Sequence, residues 1–164
     1  NYLIIKEKFK DKKIRISNKI TKNLDEKFQT IMYLNVLEHI KNDKKEINIA
    51  LKKLKTKGHL IILVPAHNNL YSKFDKAVGH YRRYDKKFFE NLNLINCNIK
   101  KCIYLDALGY YLYYLNKIFF KEETYPSKFK IFLWDKIFTP FTYFLDKILL
   151  NKFGKNILYI VQKL

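Results

Sequence analysis

Two short runs hold most of the side chains in this sequence that could do chemistry. Glu38-His39 follows an apolar stretch, and His80-Tyr81-Arg82-Arg83-Tyr84 comes about forty residues later. An imidazole titrates near neutrality, so His39 is the candidate general base, with Glu38 placed to orient it. The plainer alternatives are a strand-end histidine bonded to backbone and, for Glu38, the acidic entry of the next helix. Two arginines between tyrosines suit an anionic or phosphate-bearing ligand held by bidentate bonds. The alternative is that one arginine pairs with a carboxylate such as Asp75 and folds the loop. Gly79 serves a tight turn in either case. His67, just after Pro65, is read as structural. Cys97 and Cys102 have no second pair to complete a metal site, so no metal is expected; thiols this sparse suggest a reducing, cytoplasmic setting.

Composition narrows the classes. With 164 residues and 48% hydrophobic content, a single packed domain over residues 1–164 is expected rather than a disordered tail. The opening residues carry no basic, apolar, small-residue leader. The longest apolar stretch, residues 103–120, is broken by Asp106, Asn116 and Lys117, which argues against a membrane span. The net charge is +18, yet of the 33 basic residues only Arg15, Arg82 and Arg83 are arginine. The lysines are spread through every segment rather than gathered in a stripe. Such a field attracts polyanions in general, and no specific nucleic-acid partner is expected from it.

These side chains need a scaffold, and periodicity supplies one. Residues 1–9 read as a helix end, and residues 13–17 alternate as a half-buried strand. Residues 28–37 form a near-continuous apolar run, the pattern of a central parallel strand covered on both faces. Asp43 precedes a helix with Ile47, Ala50, Leu51 and Leu54 on one side, and Gly58 reads as its left-handed cap. Residues 60–64 are a second buried strand, stopped by Pro65. Strand, helix and strand with short connections make a right-handed βαβ unit, hence an α/β sheet with helices on both faces. A long loop over residues 66–84 leads to a helix capped by Asp85 and a strand near residues 99–105. Aromatic helices over residues 108–120 and 129–149 (an insertion of about 106–150) precede a final strand at residues 156–162.

Several segments resemble one family closely. Phe28-Gln29-Thr30-Ile31 is similar to a strand-4 opening usually written Phe-Asp-Thr-Ile. Asn35-Val36-Leu37-Glu38-His39-Ile40 matches Asn-Val-Leu-Glu-His-Ile, and Leu54-Lys55-Thr56-Lys57-Gly58 resembles a Leu-Lys-Pro-Gly-Gly turn. Leu63-Val64-Pro65-Ala66-His67 looks like the end of strand 5. Asp75 followed by Gly79-His80-Tyr81-Arg82-Arg83-Tyr84 matches the signature Gly-His-Tyr-Arg-Arg-Tyr. Over residues 13–163 the chain resembles a class I S-adenosylmethionine-dependent methyltransferase.

The resemblance implies a Rossmann-like methyltransferase sheet with strand order 3-2-1-4-5-7-6, here incomplete and holding strands 3 to 7. It implies S-adenosyl-L-methionine as cofactor, lined by Asn35, Val36 and Leu37, with Asn18 nearest the place of the usual adenine-side acid. His39 and Glu38 become the catalytic pair, and His80, Tyr81, Arg82, Arg83 and Tyr84 the substrate contacts. The expected activity is methyl transfer to a small-molecule or lipid-linked acceptor. The chain departs from the family in having no glycine before Gly58 and Gln29 in place of Asp. A truncated domain is therefore expected, completed by an amino-terminal half on another chain or surviving as a catalytically dead remnant that binds a membrane or partner. An aromatic insertion rich in Tyr110, Tyr111, Tyr113, Tyr114, Phe119, Phe120 and Trp134 reads as a helical cap, or as a surface resting on the inner face of a membrane.

Overall fold

The computed structural model describes residues 21–119 and 138–164, with Ser127, Phe132 and Lys136 besides. The helix end at residues 1–9, the strand at 13–17, the cofactor contact assigned to Asn18, and Phe120 and Trp134 lie outside the described residues, as does the side chain of Phe119.

The expected βαβ unit is present. Strand β1 (Phe28–Leu34) leads through a 3-10 turn (Leu37–His39) into helix α1 (Asp43–Lys52) and then strand β2 (Leu54–Pro65). The two strands run parallel, with Ile31 opposite Leu60 and Leu34 opposite Leu63. Two features start α1: Asp43 and Glu46 lie in its first turn, where carboxylates oppose the helix dipole favourably. Its Ile47, Ala50 and Leu51 face the sheet and are buried. The Tyr33 hydroxyl donates to Glu46 at 2.6 Å and ties β1 to that helix.

Strand β3 (Cys97–Leu105) and strand β4 (Asn156–Lys163) complete a sheet of order β1-β2-β4-β3. This is the 4-5-7-6 part of the order expected for the family. Chain direction was not legible in apolar periodicity: β4 runs antiparallel to both neighbours. The register puts Leu60 beside Val161, Ile62 beside Tyr159, and Val64 beside Ile157. All six are buried on one face. Each such apolar side chain contributes roughly 1.5–3 kcal/mol by leaving water, which makes this double row the centre of the core. Helix α3 (Lys86–Glu90) covers it by stacking Phe89 on Tyr159, ring centroids 4.6 Å apart.

Two local expectations are corrected. The apolar run 28–37 predicts a strand covered on both faces, but pairing stops at Leu34, and Met32 and Leu34 are 61% and 51% exposed. The sequence predicts a helix cap at Gly58, but α1 ends at Lys52 and Gly58 lies inside β2. The chain bulges before it: Phe28 pairs with Leu54, yet Thr30 already pairs with His59, and Lys57 takes the positive φ of 61°. Gly58 is where the bulge presses on β1, since a Cβ there would sit 2.8 Å from the Lys55 carbonyl and 2.9 Å from that of Gln29.

The stretch 66–84, expected as loop, holds a short 3-10 turn and helix α2 (Lys73–Ala77), opened by a reciprocal capping box between Ser72 and Asp75. Among the described residues, the helical insertion holds α4 (Ala107–Phe119) and α5 (Thr139–Ile148). Asp146 of α5 accepts the Asp106 and Ala107 backbone N–H groups at 2.8 Å each, closing the start of α4. Among the described residues no helix is long and apolar enough to cross a membrane.

Candidate active site at the carboxyl end of the parallel strands

In an open α/β sheet, ligands gather outside the carboxyl ends of the parallel strands. Here β1 ends in a sharp turn. Asn35 takes a positive φ of 52°, a conformation asparagine tolerates better than most residues, while its N–H still bonds the Leu63 carbonyl at 2.9 Å. Asn35 and Val36 are thereby presented to solvent, whereas Leu37 is driven into the core. Glu38 and His39 follow on the 3-10 turn.

The Gly79–Tyr84 run closes over this turn. The Tyr81 N–H donates to the Glu38 carbonyl at 2.8 Å, and the Tyr84 hydroxyl donates to the Leu37 carbonyl at 3.1 Å and to Asp43 Oδ2 at 3.0 Å. Arg82 reaches Asp43 with Nη1 at 3.2 Å and the Lys41 carbonyl with Nη2 at 3.1 Å. The two runs singled out in sequence are therefore one structure, zipped along residues 37–43.

Within it the side chains divide by burial. Arg83 and Tyr84 are 7% and 1% exposed. The Arg83 guanidinium is held by Asp75 and lies over the Tyr113 ring, 4.7 Å from its centroid. The pairing of one arginine with Asp75, the alternative weighed from sequence, is what the loop uses. Asp75 also accepts from His80 Nδ1 at 2.8 Å and from the Ser72 hydroxyl at 3.0 Å. Burial pushes the Asp75 carboxyl up, but Arg83, His80 and Ser72 outweigh it and hold it below the ordinary value of 3.8. Tyr81 is 56% exposed, and Arg82 keeps part of its surface in water. Of the five residues assigned to substrate, these two present the most surface.

Glu38 and His39 differ in the same way. His39 is exposed, and its Nδ1 lies 3.2 Å from the Gly79 carbonyl, which takes the orienting part expected of Glu38. Glu38 is fully buried, and neither carboxylate oxygen has a hydrogen-bonding partner. Burial raises its pKa, against weaker pulls from its own backbone N–H, His80 and His39. The Nε2 of His80 lies 3.9 Å from Glu38 Oε1. The His39 and His80 rings meet edge to face at 4.6 Å.

Sequence reasoning missed Asp43, which anchors both Arg82 and Tyr84. It also missed Ser72, although Ser72 and Asp75 carry the spacing of a capping box. His67 stacks on Tyr104 at 4.8 Å, and burial lowers its pKa against an upward pull from Asp85. An open cleft of about 700 Å³ is lined by Asn68, Lys86, Phe88 and Tyr104 among others. It shares Arg82, Arg83 and Tyr84 with the site but reaches neither Glu38 nor His39, so the cluster at the strand ends is the better chemical candidate.

No protein-family model matches the sequence, and no curated protein matches it. Solved structures do. BH2331 from Bacillus halodurans C-125, whose assignment as a methyltransferase is itself provisional, aligns with a TM-score of 0.57 at 12% identity, covering 99% of this chain and 78% of that one. The YcgJ protein of Bacillus subtilis aligns with a TM-score of 0.51 at 10% identity over 98% and 73% of the two chains. The MccD protein gives 0.50 at 14% identity over 99% and 75%. Identities this low speak for fold alone, and the fold is a Rossmann-like α/β sheet of the methyltransferase type.

Proposed function

We propose that this chain takes part in S-adenosylmethionine-dependent methyl transfer to a small-molecule or lipid-linked acceptor. The observation that carries this reading is the meeting of Glu38-His39 with His80-Tyr81 at the carboxyl end of β1, in a sheet of methyltransferase type. Asn35 and Val36 fit one wall of a cofactor cradle, offering a polar amide and an apolar surface to solvent at the strand tip. The glycine-rich turn that would form the opposite wall has no counterpart before Gly58, so this wall is half of what the cofactor needs.

The bound sulfonium would supply an already activated methyl group, leaving the protein to position the acceptor and manage its proton. His39 is exposed and held through Nδ1, so Nε2 is the atom that takes the proton of an acceptor hydroxyl or amine. Tyr81 and Arg82 flank that approach and contact the acceptor. His80, Arg83 and Tyr84 hold them in place from beneath.

Isothermal titration with S-adenosylhomocysteine tests the reading. Saturable binding weakened by Asn35→Ala supports it; a folded chain that gives no heat, alone or with a complementing amino-terminal half, refutes it.

A second reading, a module without turnover that rests on a membrane surface or a partner, is favoured by helix α5. Its Thr142 and Asp146 are buried, while Phe141, Phe144 and Ile148, at helical spacing, point outward with Tyr143. Lys147 lies 4.4 Å from the Tyr143 ring centroid. An apolar strip rimmed by lysine suits anionic lipid headgroups, where a lipid-linked acceptor would also be met.

A further inference from the structure

We propose that Glu38, His39 and His80 form a binding site for one divalent transition-metal ion at the carboxyl end of β1. One candidate ligand atom from each of the three lies within 4.8 Å of the other two. The arrangement of protons around them points the same way. His39 Nδ1 faces the Gly79 carbonyl at 3.2 Å, and His80 Nδ1 faces Asp75 Oδ1 at 2.8 Å. Both partners are acceptors, so each ring places its proton on Nδ1 and leaves an Nε2 lone pair uncommitted. The His80 lone pair looks at Glu38 Oε1, 3.9 Å away. Glu38 is fully buried, and neither of its oxygens makes a well-formed hydrogen bond, its own backbone N–H giving only a weak pull. Acceptors thus face acceptors across a short gap, and a buried carboxylate left this way is costly. A cation between them resolves the conflict.

The donor set selects the ion. Two imidazole nitrogens and one carboxylate oxygen suit zinc and its first-row neighbours, whereas magnesium and calcium prefer oxygen throughout. The contact of His80 Nδ1 with Asp75 is the outer carboxylate that metal-bound histidines characteristically have, and Asp75 is itself fixed by Arg83 and Ser72. Donors 2.0–2.2 Å from an ion lie about 3–3.5 Å apart, so the cluster must close by roughly an ångström. The exposed His39 ring can make that movement by turning about its bond to the Gly79 carbonyl. Three ligands would leave a coordination position open. With the ion bound, His39 Nε2 is a ligand and no longer the base, so at that position the ion would ease loss of an acceptor hydroxyl's proton to solvent; this role rests on the proposed methyl transfer, the binding does not.

Cobalt(II) is a suitable probe, titrated into the full chain after chelator treatment and followed by visible absorption with zinc competition. The background carries Cys97→Ser and Cys102→Ser, so that thiols contribute nothing. One ion per chain is expected, with affinity lowered at least about tenfold by His39→Ala and by Glu38→Gln. His39 packs no core, so its variant keeps the fold, which circular dichroism checks. No saturable binding overturns the proposal, as does binding that neither substitution weakens; an imidazolium His80 bridging Asp75 and Glu38 then accounts for the cluster. S-adenosylhomocysteine binding is measured separately with and without metal. Metal binding without nucleotide binding sinks the methyl-transfer reading alone, and the reverse sinks this one alone.

Discussion

Arg83 closes on Asp75 with Nε at 3.0 and 3.1 Å from the two carboxylate oxygens and Nη2 at 2.9 Å, and both side chains are buried. The pair does not float in the core: Asp75 also caps α2 through Ser72 and holds His80, so one carboxylate organises the loop above the site. Removing one partner strands the other charge. Asp75→Asn is expected to cost about 3–5 kcal/mol in urea unfolding. Because the folded-state pKa of Asp75 is depressed, its contribution is whole above the unfolded value of about 3.9 and is lost as pH falls toward the folded value. The acid limb of the wild-type stability curve should flatten in the variant.

Glu38 behaves with the opposite sign. Its folded pKa is raised, first by burial, so ionised Glu38 is a cost that grows as pH rises from the unfolded value of about 4.3. In chelator, Glu38→Gln should therefore be more stable than wild type at pH 7.5, by about 1 kcal/mol or more. The gap should close as pH approaches 4. Thermal unfolding across that range reads it directly, and a variant less stable than wild type at pH 7.5 would contradict the account.

Gly58 tests the bulge. A methyl group at this position meets two carbonyl oxygens of the backbone, which cannot swing aside as a side chain can. Gly58→Ala should cost about 1–3 kcal/mol in chemical denaturation. Gly79→Ala has room, with the nearest atom at 3.9 Å, so its penalty would come from its φ of 82° alone.

The outward strip of α5 predicts a membrane preference. Vesicles containing phosphatidylserine should bind the chain more tightly than pure phosphatidylcholine, with binding that falls as salt rises. Phe141→Ala with Phe144→Ala should weaken sedimentation with those vesicles about tenfold or more. Equal binding to both lipids, unmoved by the two substitutions, would refute the membrane reading.

How far the sequence could be read follows from the range of each interaction. The apolar run of β1, the spacing of Ile47, Ala50 and Leu51, and the stop at Pro65 are local signals, and the βαβ unit built on them is present. Gly58 misled because Thr56-Lys57-Gly58 has the composition of a turn; the chain does turn there, but as a bulge inside β2, which depends on register with β1 and not on neighbours in sequence. The two site runs were found together only through the likeness of their motifs. Periodicity does not tell that Tyr84 reaches Leu37 and Asp43, or that His80 lies against Glu38, because those contacts join residues about forty apart. Nor does it distinguish Arg83 from Arg82: one is folded inward by Asp75 and the other outward by Asp43.

The place of β4 in the sheet sets the order of events when the polypeptide is made. This strand occupies an interior position, yet it is formed by Asn156–Lys163, and β3 has no other partner among the described strands. On the ribosome, the βαβ unit can assemble as soon as β2 has emerged, whereas β3 must wait for a stretch synthesised some fifty residues later. Until then the rows of β2 and β3 that β4 will join stand open to other chains. Folding yield should therefore be limited by the arrival of β4, and chaperone dependence should concentrate in that interval.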